Sequence, residues 1–174
     1  MNAGLAAPTV RRAITSHLAG AAADPASQMH RVRVLEGQPD KESQLRTVEG
    51  KYEVVYPVTD ASGTSDVQVL TAGRLRFDET VIIEFRIEVL PVTNADTADV
   101  TETRANEILY AVLSEISNQR FWSDREALGL EAFDYVWFTP ATIEIVTTRV
   151  EGKSGYGCGI ALGIEVQARR GFPV

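Results

Sequence analysis

The chain is poor in the residues from which most active centres are built. Its 174 residues include one cysteine, Cys158, and two histidines, His17 and His30. A single cysteine excludes an internal disulfide and any site built on several thiolates. It also fits a reducing compartment. The two histidines are too far apart for the i, i+4 spacing that presents two imidazoles on one helix face, and no acidic loop carries the EF-hand pattern with its closing glutamate. Neither a metal nor a cofactor is expected. Long apolar runs are missing too: none approaches the ~20 residues that a membrane-crossing helix needs, so no membrane partner is expected. The alanine-rich start, residues 1–23, carries Arg11, Arg12 and His17 inside its apolar stretch. A signal peptide places its positive charges before an uninterrupted apolar core. This segment is therefore expected to belong to the mature fold.

What is present is a normal globular balance, with 44% hydrophobic and 24% charged residues. The length fits one domain and is enough to bury roughly two-thirds of the unfolded chain's surface. Net charge is −7 and the isoelectric point about 4.9. An acidic chain lacks the excess of Lys and Arg whose counterion release drives grip on phosphate backbones. Sequence-specific nucleic-acid binding is not expected on that ground; an acidic surface past which nucleic acid slides remains open.

Hydrophobic periodicity lays out the elements, and no internal repeat interrupts it. Pro8 opens a helix to Ala22, with Val10, Ala13, Ile14, His17, Leu18 and Ala21 on one side and Asp24-Pro25 as its stop. A short strand covers Arg31–Leu35 and ends in turn chemistry, Glu36-Gly37-Gln38-Pro39-Asp40. Lys41–Gly50 reads as loop. Tyr52–Val58 alternates, with Tyr52, Val54, Tyr56 and Val58 on one face and Pro57 marking an edge or a strand end. Thr59–Asp66 has loop composition. Either Val67–Leu70 pairs back as a hairpin, or Thr59–Arg76 projects as one long loop.

Thr80–Leu90 is the clearest strand. Val81, Ile83, Phe85, Ile87 and Val89 form its apolar face, and Ile82, Glu84, Arg86, Glu88 and Leu90 the other. Asp99 and Glu102 resemble a capping box for a helix running to Asn118, with Ala105, Ile108, Leu109, Val112, Leu113 and Ile116 as its apolar stripe. Phe121–Pro140 is aromatic-rich and fits no single element. Ala141–Val150 and Ile160–Arg169 are strands, the latter with Ile160, Leu162, Ile164, Val166 and Ala168 inward. Gly152–Gly159 is a glycine-rich hairpin loop between them. The order implies an α+β fold: a mainly antiparallel sheet, two principal helices packed on one face, and long projecting loops at 36–50, 59–78 and 152–159.

Each chemical pattern has a blander explanation. Cys158 with His17 or His30 would make a nucleophile and base, but a free cysteine in such a setting is more often a small packed residue. His17 on an apolar helix face is more often hydrogen-bonded in the core than a metal ligand. Gly152-Lys153-Ser154 has the ending of a phosphate loop, yet Thr147 stands where the first glycine belongs and a strand, not a helix, follows. Glu84 and Glu88 share a face, but their Cα atoms are about 13 Å apart in a strand, which is long for a glycosidase carboxylate pair. Arg86 between them would hold both ionised. Trp122, Tyr135 and Trp137 would suit a ligand pocket, though such aromatics more often fill a core or an interface. With no catalytic set, no enzymatic activity is expected. A charged strand face beside polar loops points to contact with protein partners.

Several segments together resemble the tail terminator proteins of long-tailed, siphovirus-type bacteriophages of actinobacteria. They are APTVRRAITSHL, VRVLEGQPD, DETVIIEFRIEVL, TETRANEILYAVLSEI and GIALGIEVQARR, with the polar spacer before the second helix, and they cover about two-thirds of the chain. They match in element order and recurring residue type, not in a diagnostic motif. The resemblance implies a single tail-terminator-like domain spanning residues 1–174. It implies a structural virion protein, found at the head-proximal end of the tail and assembled in the host cytoplasm. Its copies would form a homo-oligomeric ring, a hexamer, that caps the tail tube and stops its polymerisation. The partners implied are the tail-tube protein and a neck or head-completion protein, and DNA would pass through the lumen without specific binding. Thr59–Arg76 and Phe121–Pro140 are longer than the family pattern suggests. Glu84, Arg86, Glu88, Asp66, Arg74 and Arg76 are the residues expected at a subunit interface or the lumen. The rival readings are another head–tail connector, a tail-tube subunit, or a small ligand-binding domain or enzyme.

Overall fold

The computed structural model describes residues 6–39, 52–58, 62–70, 74–91, 97–117, 135–149 and 155–173. Helix α1 is Ala6–Ala23 and helix α2 is Ala98–Ile116. Six strands complete the described fold: β1 (Arg33–Val34), β2 (Tyr52–Pro57), β3 (Ser62–Leu70), β4 (Arg74–Leu90), β5 (Tyr135–Arg149) and β6 (Tyr156–Pro173). They form one sheet in the order β1-β2-β4-β6-β5, with β3 also paired to β4. Every pairing is antiparallel except β1 with β2. The fold is α+β.

Strand β4 organises the sheet. One edge pairs with β6 from Arg74 to Val89. The other is shared end to end: β3 takes Arg74–Ile82 and β2 takes Phe85–Leu90. The alternation legible in the sequence sets the two faces. Val81, Ile83, Phe85, Ile87 and Val89 of β4 join Ile160, Leu162, Ile164, Val166 and Ala168 of β6 under both helices. Val10, Ile14 and Leu18 of α1 and Ala105, Ile108, Val112 and Ile116 of α2 close this core from above. Fully burying one such side chain is worth about 1.5–3 kcal/mol.

Between α1 and β1 the chain makes consecutive tight turns. Asp24 Oδ1 accepts from the Ala26 amide, and the Arg31 amide donates back to Ala22 O at 3.1 Å. Arg31 sits at φ 72°, in the left-handed region. These turns fold the chain directly from the helix end into the sheet.

Several sequence expectations are corrected. Residues 62–70 and 74–78 are paired strand, so Thr59–Arg76 is not a projecting loop: the hairpin alternative holds, and it begins earlier than Val67. Its serines, threonine and glycine carry turn-like composition, but a neighbouring strand that bonds every residue overrides local preference. Tyr156–Gly159 likewise belong to β6 rather than to a hairpin loop, and β5 starts at Tyr135, inside the aromatic stretch. A register shift between Pro140 and Thr142 absorbs the proline, which has no N–H to give. The capping box is absent. Thr97 is the N-cap and makes no side-chain cap bond, while Asp99 lies in the first turn, where a negative charge favours the helix dipole. The expectations for residues 40–51, 121–134 and 152–154 lie outside the described residues, Trp122 and Lys153 among them.

Candidate functional site

The sheet face turned away from the helices carries the charged set. Along β4 this face presents Asp78, Thr80, Ile82, Glu84, Arg86 and Glu88, in register with Arg169, Gln167, Glu165, Gly163, Ala161 and Gly159 of β6. Thr142, Glu144 and Val146 of β5 continue it on one side, and Val54 and Tyr56 of β2 on the other. Among the described side chains this face holds five carboxylates (Asp78, Glu84, Glu88, Glu144, Glu165) and two guanidiniums (Arg86, Arg169), a net charge of −3.

These charges are ordered. Arg86 Nε pairs with Glu84 Oε1, two residues back on the same face. Tyr56 OH donates to Glu88 Oε1 at 2.6 Å. Burial, reinforced by the neighbouring Glu88 carboxylate, pushes the Tyr56 hydroxyl well above its ordinary range. Arg169 Nε donates to Asp78 Oδ1 at 2.7 Å across β4 and β6. Val54 and Tyr56 are buried here, with Leu35 and Leu90 packed beside them. The alternation expected for Tyr52–Val58 holds over a strand that ends at Pro57, and Val54 and Tyr56 lie on the face opposite the helices while Val55 joins the core beneath them.

Of the residues expected at an interface or lumen, Glu84, Arg86 and Glu88 fall together on this face. Asp66, Arg74 and Arg76 sit instead on the β3–β4 hairpin. Asp66 is in register with Asp78, Arg74 with Leu70 and Pro173, and Arg76 with Gln68 and Gly171. They are ladder positions, Arg74 in the last pair of the hairpin.

Sequence reasoning missed the open edges of β3 and β5. Among the described residues, β5 pairs only with β6, and β3 only with β4. On β5 every described side chain from Thr142 to Thr147 is exposed. Ile143 is 48% exposed and Ile145 43% on the helix side of the sheet; Val146 is 43% exposed on the other. The β-branched run 142–148 was the signal for such a strand, but its position at the edge depends on the β5–β6 pairing.

Other candidates resolve into structural roles. Glu115 Oε2 lies 3.1 Å from His17 Nε2, and Ser27 Oγ donates to Glu115 Oε1 at 3.1 Å. The carboxylate stands between the other two groups, which is not the order of a nucleophile activated by a histidine. It ties α1, the turns and α2 together, so His17 is hydrogen-bonded as expected, though half-buried rather than in the core. Cys158 is buried in β6, and burial raises its thiol pKa, which disfavours the reactive thiolate. Among the described residues no cluster of three or more His, Cys, Asp or Glu is placed to hold a metal ion. No described helix is long and apolar enough to cross a membrane.

No family model matches the chain. A search of curated proteins finds no match either.

Proposed function

We propose that this chain is a structural subunit that closes into a ring with copies of itself, and that the ring is a phage tail terminator. On this reading it caps the head-proximal end of the tail tube and stops tube growth. It docks to a neck or head-completion protein and lets DNA pass without holding it. The tail-specific part rests on the resemblance of the sequence segments. The ring-building part rests on one observation: among the described residues β3 and β5 each leave one edge unpaired, and the two strands run in opposite directions. β3 runs antiparallel to β4, β4 to β6 and β6 to β5. The β5 of one copy set beside the β3 of the next therefore continues the antiparallel order. Because the two edges differ, the contact is heterologous, the type that closes a ring when its rotation divides a full turn evenly. An edge strand exposing Ile143, Ile145 and Val146 is the kind of surface that natural proteins cover or blunt. The net negative face suits a lumen lining, since like charges repel DNA.

The test is mass in solution by light scattering, with electron microscopy, alone and with tail-tube subunits. The wild type is expected as a closed ring that arrests tube growth. Ile143→Lys with Ile145→Lys is expected to leave a folded monomer. A wild type that stays monomeric throughout, or a double variant that builds the same ring, sinks the ring. A ring that never associates with tube subunits sinks the terminator assignment alone, and unaided polymerisation into tubes favours a tube protein.

A further inference from the structure

A groove of about 560 Å³ lies between α1 and the outer side of β1, on the opposite flank of the sheet from β5. Arg11, Arg12, Thr15 and Ser16 line it from the helix, and Val34 and Glu36 from β1 and the turn after it. Its charge runs against that of the molecule. Residues 1–39 hold four arginines (Arg11, Arg12, Arg31, Arg33) against Asp24 and Glu36, a balance of +2, whereas the whole chain stands at −7, leaving −9 on residues 40–174. Arg12 is exposed, and no described residue forms an ion pair with it. Arg11 Nη1 reaches Val58 O at 3.4 Å, which holds its guanidinium at the groove.

The groove also has a backbone element. β1 pairs with β2 on one side and with no other described strand on the other. The Leu35 amide donates to Val55 O at 3.0 Å, so in this parallel register the N–H and C=O of the preceding Val34 point the opposite way. An open strand edge beneath two guanidiniums is a strand-addition site with a built-in preference for acid.

We propose that this groove binds an extended, acidic segment of a partner protein, added as a short strand on β1 with a carboxylate against Arg11 and Arg12. Charge complementarity carries the choice of occupant. Glu36 adds one carboxylate to the same lining, and the unpaired backbone edge of β1 offers an N–H and a C=O to a peptide strand but nothing to a uniformly anionic polymer such as DNA. The inference does not depend on the ring: β1 lies beyond β2, at the other end of the β4 edge from β3, and the groove uses different chemistry.

The test is fluorescence anisotropy with a labelled peptide of alternating valine and glutamate, compared with its glutamine and lysine counterparts. The glutamate peptide is expected to bind about tenfold or more tighter than the glutamine one, and the lysine one not to bind. Arg12→Glu should abolish binding and added salt should weaken it. Val34→Pro removes the outward N–H without touching a β1–β2 bond, and should weaken binding about tenfold while circular dichroism shows the fold intact. Absence of glutamate-peptide binding up to about 1 mM overturns the proposal. So does equal binding of the lysine peptide, or binding that survives both variants. Loss of self-assembly in Arg12→Glu without any peptide binding by the wild type would assign the groove to a subunit contact, and would also overturn it.

Discussion

Tyr56 shows how a residue's sequence pattern can be right and its setting still hidden. Alternation grouped it with Val54, but which face of β2 met the helices depended on pairing with β4, where Tyr56 falls opposite Arg86 and Val54 opposite Glu88. The outcome is a tyrosine 5% exposed on the charged face, its hydroxyl satisfied by Glu88. Tyr56→Phe is expected to cost about 1.5 kcal/mol, the lower end for a bond to a charged acceptor because Glu88 remains partly solvated. The pH dependence has a definite sign. The folded hydroxyl titrates above its ordinary value of 10.0. Its contribution is therefore complete below pH 10 and is lost as pH rises from there towards the folded value, because the unfolded chain ionises first. Urea midpoints of wild type and Tyr56→Phe should keep a constant gap up to about pH 10 and converge above it. A gap that does not narrow would mean that the phenol is not protected by the fold.

At the scale of elements, α1, α2, the core half of β4 and β6 were legible because each shows a period that a single packed face enforces. β3 and the first part of β5 were not, since their composition suits turns or a core equally well and only a partner strand decides. The same divide runs through the candidate site: Glu84, Arg86 and Glu88 followed from alternation, while the open edges of β3 and β5 followed from strand order alone. Glu53 lies between the two cases. Its alternation placed it opposite Tyr52 and Val54, but nothing local indicated a partner fifty-one residues on. Glu53 is 8% exposed beneath α2, and Arg104 Nη2 donates to its Oε2 at 2.8 Å while Nη1 holds Glu107. Arg104→Ala leaves a carboxylate under the helix without its cation. The expected loss is about 2 kcal/mol, below the range for a fully buried pair because Arg104 is one-third exposed. Adding Glu53→Gln should recover part of it, because a neutral amide is less costly to bury. A double variant as unstable as the sum of its singles would show that the pair does not couple α2 to β2.

For the whole molecule, the distribution of charge matters more than its total. The helix-free face is net negative in its described side chains, and α1 with β1 is net positive, so the molecule is polarised across its width as well as acidic overall. If the negative face lines a passage, its task is to let DNA slide, which a net repulsion with its two guanidiniums already paired to carboxylates accomplishes. Reversing that face should then create grip where there was none. Glu84→Lys with Glu88→Lys and Glu165→Lys shifts the described face from −3 to +3, each substitution changing the charge by two. In a gel-shift assay at low salt the wild type should leave duplex DNA unretarded and the triple variant should retain it. Each phosphate that the new lysines neutralise should steepen the fall of affinity with salt by a slope of about 0.9. The ring mass must be checked in parallel, since Arg86 pairs with Glu84 and the reversal breaks that pair. A triple variant that assembles normally yet ignores DNA would place this face on the outside of the proposed ring. The lumen would then have to be lined by the helical side or by residues beyond those described.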